Sequence, residues 1–124
     1  MILALAILAQ AAAAQPAWQA LGTFAGIEIA YDPASVRSDG GRVRVRTRGV
    51  IATPGADGIR TVTGTTEIDC TGGTATALDA KGYDANGALM FNAVAPAASR
   101  TAEPIRPDSP NGAVRAAVCG RQGE

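Results

Sequence analysis

Arg42-Val43-Arg44-Val45-Arg46-Thr47-Arg48-Gly49-Val50-Ile51 is the stretch that decides the fold class. Over residues 42–48 it alternates strictly, with arginine at every even position and Val, Val and Thr between. A period of two marks a strand whose two faces meet different surroundings. The strand therefore turns a row of guanidinium groups to one side and Val43 and Val45 to a core on the other.

Upstream, Ser38-Asp39-Gly40-Gly41 reads as a hairpin turn, because Asp-Gly and Gly-Gly accept the positive φ that tight turns need. Before it, Pro33 has no amide for a ladder, and Asp32 is placed to cap one helical turn. Ile27, Ile29 and Tyr31 alternate with Glu28 and Ala30 as another strand. Residues 22–26 read as a turn, and Trp18-Gln19-Ala20-Leu21 as a short apolar stretch with Trp18 a core anchor. Downstream, residues 53–58 form a loop and the chain returns over residues 59–70. That hairpin sets Arg44 beside Glu67 and Arg42 beside Asp69, with Val62, Gly64, Thr66, Ile68 and Cys70 on the other face.

Thr71-Gly72-Gly73 then turns into a strand over residues 74–83, and Asp84-Ala85-Asn86-Gly87 into another over residues 88–95. After a loop rich in Pro and Ala, Ser109 suits an N-cap and Pro110 the first helical position, where its missing amide costs nothing. Ala113, Val114, Ala117 and Val118 recur at helical spacing until Gly120. The expected fold is α+β: an antiparallel β-sheet of about six strands with a C-terminal α-helix packed on one face. Val43, Val45, Ile68, Leu89 or Phe91, Val114 and Val118 should be buried together, since each element has one apolar side to share.

Residues 1–14 are an apolar run ending in small residues, Ala12-Ala13-Ala14 before Gln15. The run is shorter than the ~20 residues of a membrane span and fits a signal peptide cleaved before Gln15. The expected mature chain, residues 15–124, is a single domain without a transmembrane segment. The apolar inventory is thin: 27 alanines in the full sequence, and aromatics only 4% of it. Export would place Cys70 and Cys119 in an oxidising compartment, where two thiols become a structural disulfide. Neither lies in a Cys-x-x-Cys motif, and no histidine is present to activate a thiolate.

The absence of histidine also removes Ser-His-Asp and Cys-His catalysis and every His-containing metal site. The acidic residues sit mostly at turns and strand ends, as caps do. No catalytic residue, metal or cofactor is therefore expected, and the protein is not expected to be an enzyme. Eleven basic residues balance eleven acidic ones, which argues against a nucleic-acid binder. What stands out is local. Arg42, Arg44, Arg46 and Arg48 form a row that can bind an anionic partner, or else a solvated face neutralised by Glu67 and Asp69.

Taken in order, the pieces resemble the surface-adhesin protein E family of Gram-negative envelopes. They are the leader, Trp18, Tyr31-Asp32-Pro33-Ala34-Ser35-Val36, Gly41-Arg42-Val43-Arg44-Val45 and Glu67-Ile68-Asp69-Cys70. Tyr83-Asp84-Ala85-Asn86-Gly87, Pro104-Ile105-Arg106-Pro107-Asp108-Ser109-Pro110 and Val114 to Cys119 complete the set. The resemblance implies an antiparallel sheet carrying a helix, with Cys70 joined to Cys119 on that helix. It also implies an adhesin of the kind that binds host matrix and plasma proteins and can form a homodimer. The reading is an exported, non-catalytic cell-envelope protein, in the periplasm or on the outer cell surface, that binds a protein or an anionic polymer. The alternative is a small periplasmic enzyme or enzyme inhibitor acting through a cleft that the sequence does not mark.

Overall fold

The computed structural model describes residues 16–120, so the leader expected over residues 1–14 lies outside the described residues. Among the described residues, eight strands precede one α-helix. They are β1 (Gln19–Phe24), β2 (Ile27–Tyr31), β3 (Arg37–Asp39), β4 (Arg42–Ile51), β5 (Ile59–Asp69), β6 (Thr74–Asp84), β7 (Leu89–Val94) and β8 (Glu103–Pro104), followed by α1 (Pro110–Cys119). They form one curled antiparallel sheet of order β1-β2-β4-β5-β6-β7, with β3 added on β4 and β8 on β6. The arginine strand is β4, and its register against β5 pairs Arg44 with Glu67 and Arg42 with Asp69, as the hairpin requires.

Alternation along each strand sorts the sheet into two faces. On the inner face, Tyr31, Val43, Val45, Ile68 and Ala75 pack against Val114 and Val118 of α1 in one buried cluster. Helix α1 starts where the capping logic puts it: Ser109 Oγ accepts from the Gly112 amide at 3.1 Å, and Pro110 follows. Gly112 lets the first turn lie against the preceding loop, since a Cβ there would meet the carbonyl oxygens of Arg106 and Pro107. Cys119 at the end of the helix is bonded to Cys70, just beyond β5, closing a loop of 49 residues. Asp32, buried, caps the 3-10 turn at Pro33–Ser35 by accepting from the Ala34 amide at 3.1 Å.

Three expectations are corrected. Residues 22–26 are not a turn throughout: β1 continues to Phe24, and only Ala25 and Gly26, both at positive φ, form the two-residue link to β2. Gly22 instead sits at a β-bulge inside the strand. Leu89 is 55% exposed on the edge strand β7, and Phe91 is half-buried outside the core cluster, lying on Gly82. The ten-residue helix lies over β1, β2 and β4–β6, and β7 contributes no residue to the cluster it covers. Trp18 is not a core anchor either; it is half-buried and stacks on Arg48.

Candidate functional site

The outer face, opposite α1, carries the arginine row. Register places Arg42, Arg44, Arg46 and Arg48 on the same face as Glu67, Asp69, Thr65, Thr63, Asp79 and Lys81 of β5 and β6. The row is not uniform. Arg42 and Arg44 have side chains 64% and 55% exposed, while Glu67 between them is only 18% exposed. One carboxylate serves both: Arg44 Nε donates to Glu67 Oε2 at 2.9 Å, and Arg42 Nη1 lies 3.6 Å from Glu67 Oε1. Asp69, although it is the register partner of Arg42, instead accepts from the Gly72 amide at 2.8 Å and so serves the following turn.

Arg46 and Arg48 are half-buried, and their Nε atoms are enclosed without a hydrogen-bond partner among the described residues. Arg48 lies over the Trp18 ring. The row thus divides into two exposed arginines at one end and two lying against the sheet at the other. Only the first pair stands exposed to meet a partner.

The structure adds two arginines at the exposed end. Arg37 of β3 pairs in register with Arg44, and Arg100 reaches the same place from the loop after β7. Together with Asp39, Glu67 and Thr76 they line an open groove of about 690 Å³. Arg37 was legible in principle, because a two-residue Gly40-Gly41 turn fixes the pairing of residues 37–39 with residues 42–44. Arg100 carries no such signal, for its position depends on a loop path.

Two further cavities lie elsewhere. A groove of about 640 Å³ runs beside the disulfide, bordered by Gly41, Thr71, Ile105 and Arg115, whose Nη2 donates to the Cys70 carbonyl at 2.8 Å. A smaller apolar cleft of about 240 Å³ separates Ile27, Ile29 and Val62 from Pro110 and Val114. Among the described residues no cluster of three or more acidic, Cys or His side chains could hold a metal ion. No described helix is long and apolar enough to cross a membrane.

Residues 18–120 match the family model described as surface-adhesin protein E. The chain belongs to the surface-adhesin protein E family. Two solved structures of Haemophilus influenzae protein E share its fold. One, crystal form II, gives a TM-score of 0.58 at 15% identity, over 84% of this chain and 94% of that one. The other gives 0.53 at 14% identity, over 83% and 90%. No curated protein sequence matches the chain. The surface-adhesin protein E match takes in both sheet edges, the arginine strand, the disulfide and the helix, so the whole described architecture belongs to the family fold.

Proposed function

We propose that this protein is an exported, non-catalytic, adhesin-like module of the cell envelope that recognises a protein or an anionic polymer through its outer sheet face. The observation that carries the reading is one-sidedness: helix, disulfide and core occupy one face, and the arginine row, exposed at Arg42 and Arg44, occupies the other. An open antiparallel sheet face presents an array of side chains at fixed spacing, which suits a surface for binding more than an enclosed site for chemistry. Family membership supports the adhesin-like class, and surface location follows the family. The leader and the disulfide support export, to the periplasm or the outer surface. Exposed Leu89, Met90 and Val94 on the edge strand β7 support a homodimer in which a second copy covers that edge.

The test is a salt titration on an immobilised heparin-like polyanion, comparing wild type with Arg44→Ala/Arg46→Ala. Wild type should be retained at low salt and released as exposed charges are screened, with the variant eluting earlier. If neither is retained, and neither binds a panel of envelope or matrix proteins, the outer face is only a solvated surface.

A further inference from the structure

We infer that the groove between Arg37, Arg42, Arg44 and Arg100 is a site for the sulfate groups of a linear sulfated polysaccharide. The inference rests on the reading of the outer face as the binding surface, and it narrows that surface to one end and one ligand chemistry. Four guanidinium groups line the groove against two carboxylates, those of Asp39 and Glu67, so its lining is net positive in a chain whose total charge is zero.

Three of the four arginines are held by one edge only. Arg37 donates through Nη1 to the carbonyls of Ala34 and Val36 at 3.0 and 2.9 Å. Arg44 is held through Nε by Glu67, and Arg100 through Nε by the Ala95 carbonyl at 3.1 Å. A guanidinium has five N–H donors in a planar fork, so a contact through Nε or a single Nη leaves donors for an oxyanion. Each side chain has already lost part of its rotamer freedom to a contact within the protein, which lowers the entropic cost of binding. Arg42 and Arg44 stand about 7 Å apart along β4, and Arg37 lies on the neighbouring strand about 5 Å away. That grid suits several charged groups on one extended polymer better than a single small anion.

The rest of the lining chooses the ligand class. Thr76 offers a hydroxyl and Ala102 a small apolar surface, and no aromatic residue lines the groove. Without an aromatic or large aliphatic rim there is no platform for stacking bases and no wedge for a bilayer interface. Charge density is what remains to be read, and the groove is open at the surface, so a chain can pass through it. Glu67 is then an internal competitor: it holds Arg42 and Arg44 in place in the free protein and yields them to sulfates in the complex.

The test measures binding of a size-defined, heparin-derived octasaccharide to the full mature protein by calorimetry at several salt concentrations. The comparators are the desulfated octasaccharide and vesicles containing an anionic phospholipid. Arg37→Gln/Arg100→Gln should weaken the sulfated octasaccharide about tenfold or more per arginine, the loss expected for a charge-assisted contact. It should also flatten the dependence of affinity on salt. Arg100→Gln alone, remote from the 3-10 turn that Arg37 supports, should show the same trend and guards against misfolding. Glu67→Gln should bind more tightly.

Equal binding of sulfated and desulfated chains, or preference for the vesicles, overturns the ligand class. Wild-type affinity in Arg37→Gln/Arg100→Gln together with loss in Arg44→Ala/Arg46→Ala overturns the groove while leaving the outer-face reading intact. Loss in neither double variant overturns both.

Discussion

The guanidinium carbon of Arg48 lies 5.1 Å from the centroid of the Trp18 ring, joining the residue before β1 to β4 across β2. Ala30, the register partner of Arg48, is 1% exposed on the same outer face. By this stacking Arg48 is withdrawn from the free part of the arginine row, and Trp18 is fixed outside the core.

Removing either partner should be visible without any ligand. Trp18 is the only tryptophan, so the emission reports the surroundings of this one ring. Arg48→Ala should shift the emission toward that of a more hydrated indole. Trp18→Ala should lower stability by about 1–2 kcal/mol, combining lost apolar burial with a cation–π contact. Emission unchanged in Arg48→Ala would mean that the ring is held by its other neighbours.

The Cys70–Cys119 bond closes a 49-residue loop around β6, β7 and β8. In the chain-entropy account a closure of that length stabilises by about 4 kcal/mol, less any native strain. Cys119→Ala should therefore melt well below wild type under oxidising conditions and close to it in reductant. Intact mass of the native protein should show no thiol available for alkylation. Two alkylated cysteines would contradict the bridge.

Burial ranks the apolar residues differently from their size. Ile68 is fully enclosed between β4 and α1, whereas Leu89 is 55% exposed. Ile68→Ala should cost about 2–5 kcal/mol in chemical denaturation, as large-to-small core changes do. Leu89→Ala should stay within about 0.5 kcal/mol as a surface change. If Leu89 covers a dimer edge, Leu89→Arg should instead shift the sedimentation profile toward monomer, with the melting curve preserved at low concentration.

Much of this fold was legible because its signals are local. Strict alternation over residues 42–48, paired glycines at residues 40 and 41, and Ser109-Pro110 before a helical repeat each specify their own geometry. The strand register followed from the turns, which is why Arg44 and Glu67 could be set side by side. Other features depend on distant contacts. The three residues of β3 and the two of β8 are too short to show a period, and are strands only because β4 and β6 offer them an edge. Gly22 looks like a turn residue but occupies a bulge. β7 has the composition of a buried strand yet contributes no residue to the cluster that the helix covers. The arginine row was visible from its spacing. Its division into free and stacked halves, and its extension by Arg100, were not, because Trp18 and the loop after β7 approach it only in three dimensions.

Glu67 gives the sharpest contrast between a structural and a binding role for the exposed arginines. Its carboxylate is shared by Arg42 and Arg44 and is far less exposed than either. An exposed cross-strand ion pair stabilises a sheet by about 0.2–1 kcal/mol and is screened by salt. Glu67→Gln should accordingly lower stability slightly, and a double-mutant cycle with Arg44→Ala should give a coupling of that size that shrinks in high salt. The same substitution removes the anion competing for both guanidinium groups, so retention on a sulfated matrix should rise. The two readouts move in opposite directions from one variant. A slightly less stable protein with unchanged retention would leave Arg42 and Arg44 as sheet-stabilising partners of Glu67 and nothing more.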